Sequence, residues 1–159
     1  MPRFRDMLGV GPKWGLASAL CFALAVLGHV LSFPRFVIVL PPDDLSLVIV
    51  GSLLIVAGAS FYFVAARDLR KGLTEGNLVT TGLYSLVRHP LYASNILFVV
   101  PGIALLCKSW LLLCVPLFMY GAFRLFIPAE DRYLLKQFGR QFEEYRDKTN
   151  AVFPKVWRR

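Results

Sequence analysis

The segment Leu91–Ile127 decides the fold: LYASNILFVVPGIALLC, then KS, then WLLLCVPLFMYGAFRLFI. Two apolar runs, Leu91–Cys107 and Trp110–Ile127, are separated only by Lys108 and Ser109. Backbone amides in hydrocarbon must be satisfied within their own segment, so each run reads as a helix. A connection this short forces the two helices into an antiparallel hairpin. The first arm would span about 26 Å as a helix, short of a hydrocarbon layer of about 30 Å. It is expected to begin in the headgroup layer or to thin the bilayer locally. Pro101 and Pro116 each remove a helical hydrogen bond and are expected to kink the arms.

A polar cluster lies at each end of this hairpin. Before it runs Gly82-Leu83-Tyr84-Ser85-Leu86-Val87-Arg88-His89-Pro90-Leu91-Tyr92, and after it Glu130-Asp131-Arg132. A hairpin returns the chain to the side it left, so both clusters fall on one rim. Ionisable groups beside a membrane are costly to keep, and two such clusters point to a site for a polar ligand at the membrane surface. Pro90 is expected to hold His89 in an extended conformation and to open the first helical turn. His89 then stands at a helix N-terminus, where free N–H groups favour an anion such as a carboxylate or phosphate. Arg88 adds charge there, while Tyr84 and Tyr92 add aromatic surface with hydroxyl handles. Glu130 is expected to pair with Arg88 or Arg132, or to accept hydrogen bonds from a ribose or an ammonium group. An interfacial belt of Arg, Tyr and His with a solvated ion pair accounts for the same residues without any ligand. His29 reads as a packing residue, and Asp68 and Glu75 as loop charges.

Outward from the hairpin lie two further spans, Leu16–Phe33 and Leu45–Ala66, the second free of charge. The expectation is an all-α membrane protein of about four transmembrane helices, with residues 1–159 forming a single membrane-integral domain. Arg3, Arg5 and Lys13 precede the first span. Arg67, Arg70, Lys71 and Arg88 lie between the second and third, and Arg124, Arg132, Lys136 and Arg140 lie at or beyond the end of the fourth. The opposite loops hold Arg35 and Lys108 with Asp43 and Asp44. This bias places both termini in the cytosol. Small residues Ala17, Cys21 and Ala25, with Gly15, Ala19 and Ala23 beside them, allow close helix packing; a homodimer seam is the alternative use.

The tail from Ala129 to about Lys148 reads as an amphipathic cytosolic helix. Pro128 suits its first turn, Leu134, Phe138, Phe142 and Tyr145 form an apolar stripe, and a bend is expected at Gly139. Trp157, Arg158 and Arg159 read as an interfacial anchor.

Composition agrees: 57% of residues are hydrophobic and mean hydropathy is +0.58. The net charge of +8 is scattered over the span ends, which argues for cytosolic loop bias rather than nucleic-acid binding. Cys21, Cys107 and Cys114 lie in apolar segments, with neither disulfide nor metal spacing. A removable signal peptide is not expected, because the first apolar run is as long as a full span. The chain carries no H-E-x-x-H, G-x-G-x-x-G, phosphate-loop or G-x-S-x-G motif, and no metal site is expected.

Taken together, Leu78-Val79-Thr80-Thr81-Gly82-Leu83-Tyr84, Arg88-His89-Pro90-Leu91-Tyr92, the hairpin, Glu130-Asp131 and the run Phe138-Gly139 to Tyr145 resemble the isoprenylcysteine carboxyl methyltransferases and the related phospholipid methyltransferases. The matching core is 77–145. The resemblance implies a membrane methyltransferase using S-adenosylmethionine from the cytosolic side. Carried over, Asn77, Leu78, Val79, Tyr84, His89, Pro90, Leu91, Tyr92 and Glu130 would bind that cofactor. The acceptor would be a membrane lipid or an apolar small molecule. Two positions depart from the family pattern. Phe126 stands one turn before the acid where the family has an arginine, leaving Arg124 as the nearest cation for the acceptor. Ala151-Val152-Phe153-Pro154 also lacks the family's arginine. No catalytic residue is assigned, though an acceptor needing a base would have His89 and Glu130 as candidates. Two other readings compete: an NADPH-dependent membrane reductase of the sterol-reductase type, and a non-enzymatic membrane subunit.

Overall fold

The computed structural model describes residues 11–32, 35, 37 and 45–155. Arg3, Arg5, Phe33, Asp43, Asp44, Trp157, Arg158 and Arg159 lie outside the described residues. Helix α1 is Gly11–Leu31, α2 is Leu45–Glu75, α3 is Pro90–Leu106, α4 is Trp110–Phe138 and α5 is Arg140–Lys148. The first, second and fourth are long and apolar enough to cross a membrane, and α3 is the shorter apolar arm expected from its length. The protein is an all-α membrane protein.

The hairpin of α3 and α4 is as tight as two residues require. Lys108 turns the chain at φ 49°, and the buried Ser109 side chain accepts a hydrogen bond from the Leu112 amide at 3.2 Å, capping α4. The two prolines leave different marks. Ahead of Pro101, residues Asn95–Val99 adopt π-helical pairing, one way to absorb the missing donor. Two residues before Pro116, the helix is interrupted at Cys114.

Around the hairpin, α2 packs along α3 and α1 packs against α4. The α2–α3 crossing is a backbone contact. A Cβ on Gly51 would stand 2.9 Å from the Gly102 carbonyl oxygen, and one on Gly102 would stand 2.8 Å from that of Gly51. On α1, Trp14, Ser18 and Ala25 are buried, Cys21 packs on the core, and Ala19 and Ala23 face outward. The opposite stripe, Leu16, Leu20, Leu24 and Leu27, is exposed, as a lipid-facing surface must be.

Three expectations are corrected. Arg67–Glu75, read as loop, continues α2 for two more turns, so Asp68 and Glu75 are helical charges. Pro128 does not start a tail helix but lies inside α4, which runs unbroken from Val115 to Phe138. A helix of 29 residues spans about 43 Å, so its last turns, with Glu130 and Asp131, project past a hydrocarbon layer of about 30 Å. His89, expected to be fully extended, has φ −125° and ψ 65°. The bend at Gly139 is present: φ 53° and ψ −131° end α4 and turn the chain into α5. The stripe Leu134, Phe138, Phe142 and Tyr145 packs with Tyr84, Leu78, Val79 and Leu91 into a small core at this rim.

Candidate functional site

His89 caps the start of α3 with Pro90 in the first turn, and its ring is nearly inaccessible. Neither ring nitrogen faces a free anion site. Nδ1 lies 3.5 Å from Glu130 Oε1 and Nε2 lies 3.5 Å from Asp131 Oδ1. These separations are those of ion pairs, long for hydrogen bonds. The carboxylate expected as a guest is thus supplied by the chain itself. Tyr92, one turn into α3, donates its hydroxyl to Glu130 Oε2 at 3.0 Å. Burial alone pulls the His89 imidazole down; the Asp131 and Glu130 carboxylates beside it outweigh that effect, so the ring is held above its ordinary range.

Arg88 does not pair with Glu130. Its guanidinium contacts Asp131 at 3.4 Å and donates to the carbonyls of Arg146 and Thr149. The Arg88 amide donates to the Asn150 carbonyl at 2.8 Å and the His89 amide to the Ala151 carbonyl at 3.0 Å. A strap of residues 149–151 therefore ties α5 to the 82–89 turn. Tyr145 reinforces it, donating to the Tyr84 carbonyl at 2.6 Å. Burial pushes the Tyr145 hydroxyl up to about 12, so it remains a donor at neutral pH.

This framework encloses a cavity of about 370 Å³, within the range of small-molecule sites. Its wall includes all nine residues singled out above: Asn77, Leu78, Val79, Tyr84, His89, Pro90, Leu91, Tyr92 and Glu130. Arg124 lies elsewhere, on the exposed face of α4. Arg88 and the stripe Leu134, Phe138, Phe142 and Tyr145 also line the cavity, and the rest of the wall was not read as site from the sequence. Helix α1 contributes Trp14 between Gly11 and Gly15; α2 contributes Tyr62, Leu69 and Leu73; α3 adds Asn95; α4 adds Tyr133 and Gln137. Trp14 is fixed by donation to the Met119 carbonyl at 3.0 Å and by edge contact with Tyr92. The available signal was spacing. Glu130, Tyr133, Leu134 and Gln137 fall at i, i+3, i+4 and i+7 on one helix face. Among the described residues, no group of three metal-ligating side chains is assembled.

The sequence matches the isoprenylcysteine carboxyl methyltransferase family over residues 46–136, more than half of the chain. The chain belongs to that family. It is 30% identical over 115 residues to a probable protein-S-isoprenylcysteine O-methyltransferase of Oryza sativa subsp. indica, covering 69% of this chain and 59% of the relative. It is 29% identical over 149 residues to protein-S-isoprenylcysteine O-methyltransferase B of Arabidopsis thaliana, covering 85% and 74%. Over 89 residues it is 40% identical to the cobalt-zinc-cadmium resistance protein CzcN of Cupriavidus metallidurans, covering 54% and 39%. The chain therefore spans about six-tenths of the length of the rice relative.

Proposed function

We propose that this family member transfers a methyl group from S-adenosylmethionine to a lipid-like or otherwise apolar acceptor at the cytosolic membrane face. The observation that carries the reading is the shared cavity: segment 77–92 and Glu130, about forty residues apart in the chain, form one wall around a space sized for a small molecule. The donor set fits the group. A carboxylate accepts hydrogen bonds from ribose hydroxyls or an ammonium, and Tyr84, Leu78, Val79 and Phe138 offer apolar surface to a base. Residues 1–159 are read as one domain with both termini cytosolic, the rim that carries α5 being the positive one.

When bound, S-adenosylmethionine supplies an already activated methyl group, which leaves the protein the work of alignment. Glu130 is held by Tyr92 and His89 and lines the cavity, whereas the equally exposed Asp131 does not, so Glu130 is the carboxylate that meets the ligand. His89, buried with a carboxylate beside each nitrogen, is placed to orient Glu130 and Asp131. Of the two candidate bases, Glu130 is the one geometry favours for an acceptor that needs one. Trp14 and Tyr62 wall the cavity from α1 and α2, and Tyr62 is 40% exposed on the lipid-facing side. That end is the natural seat for an apolar acceptor.

The test is transfer of a tritiated methyl group from S-adenosylmethionine into the organic extract of membranes incubated with the purified protein. Incorporation lost in Glu130→Ala and His89→Ala supports the proposal. Incorporation undiminished in both variants contradicts the site.

A further inference from the structure

The face of α4 below Glu130 carries two polar side chains that nothing in the fold explains. Tyr133 and Gln137 both line the cavity, and the Tyr133 hydroxyl and Gln137 Oε1 are shut off from solvent with no hydrogen-bond partner among the described residues. An unmet buried polar group is destabilising and rarely kept without a role. Gln137 lies seven residues beyond Glu130, about 10 Å along the helix and on the same face. Between them lies Leu134, which packs with Leu78, Val79, Phe138 and Phe142 into one apolar cluster, and all five line the cavity. Two other primary amides line the cavity, but each already donates within the chain, Asn95 to the Leu91 carbonyl and Asn77 to Glu75, which leaves Gln137 as the lining amide whose oxygen has no partner among the described residues.

We infer that Gln137 reads the edge of the adenine ring of the bound nucleoside. A terminal amide carries one acceptor and two donors, and rotation about its last bond exchanges them without changing its shape. That pairing matches adenine, whose exocyclic amino group donates while an adjacent ring nitrogen accepts. A flat base between Leu and Phe side chains gains contact on both faces while its edge meets the amide. The assignment rests on the donor reading above and adds a residue that selects the base.

The test titrates two ligands into the protein in lipid nanodiscs by calorimetry: S-adenosylhomocysteine, and its 6-deamino analogue, in which a hydrogen atom replaces the 6-amino group and neither orientation of the amide restores the lost bond. The expected wild-type preference for the adenosyl ligand is about ten-fold or more. Gln137→Leu is expected to weaken the adenosyl ligand and bring the ratio near one while the deamino ligand is little changed. Gln137→Met, closer in length, repeats the measurement should the leucine variant fail to fold. A preference retained in a folded variant overturns the role of Gln137 and leaves the donor reading standing. Wild-type protein that binds neither ligand overturns both.

Discussion

His89 has a carboxylate oxygen 3.5 Å from each ring nitrogen, an arrangement that favours its charged form. The folded protein holds this proton more tightly than the unfolded chain does, so the pair contributes stability at low pH. The contribution is complete below the ordinary histidine value of about 6.5 and is lost as pH rises through the raised folded value. Thermal unfolding in nanodiscs between about pH 6 and pH 9 should show the wild-type midpoint falling with pH, and His89→Gln should flatten that fall. An identical slope in both proteins would remove the ion-pair account of His89. Tyr92 tests the same cluster from its other side. Tyr92→Phe deletes the 3.0 Å bond to Glu130 while keeping the ring against Trp14, and is expected to weaken S-adenosylhomocysteine binding by about five-fold, or about 1 kcal/mol. Glu130→Gln, which alters the carboxylate itself, should cost more.

Helices are where sequence reading and structure part company in instructive ways. The hairpin was legible because Lys108-Ser109 allows one geometry, and the rim cluster because Arg88-His89-Pro90 and Glu130-Asp131 are polar exceptions in an apolar chain. Leu69, Leu73 and Trp14 were not legible. An apolar side chain facing a cavity has the same pattern as one facing lipid, and only the packing distinguishes them. The extension of α2 through Glu75 was hidden because charges mark the end of the hydrocarbon, and a helix need not end there. The π segment has no sequence signature beyond the proline that follows it. Two glycines make element-level expectations. Gly139 holds φ 53° and ψ −131°, a region closed to L side chains, and Gly139→Ala should cost about 1–3 kcal/mol and shift the thermal midpoint downward. Gly102→Ala would push a methyl group to 2.8 Å from the Gly51 carbonyl oxygen and force α2 away from α3. A loss of about 1–3 kcal/mol is expected, read from the same melting curves, and an unchanged midpoint would show that the helices do not cross so closely.

At the scale of the molecule, the division of labour is between a lipid-facing bundle and one wet rim. The start of α1, the second half of α2, the start of α3, the end of α4 and, from α5, Phe142 and Tyr145 meet around one cavity. Apolar residues serve the bilayer on the outside, while the few ionisable groups of the site are gathered at that rim. The strap at residues 149–151 closes the far wall by joining α5 to the turn that carries His89. On the proposed reading, a charged donor and an apolar acceptor would reach this space from different phases. The measurement that bears most directly on it is calorimetric titration of S-adenosylhomocysteine and of NADPH into the wild-type protein and Glu130→Gln in lipid nanodiscs. Saturable binding of S-adenosylhomocysteine by the wild type, weakened about ten-fold or more by the substitution, with no binding of NADPH, is the expected result. Binding of NADPH alone, or affinity for S-adenosylhomocysteine equal in the two proteins, would show that the rim cavity is not the donor site.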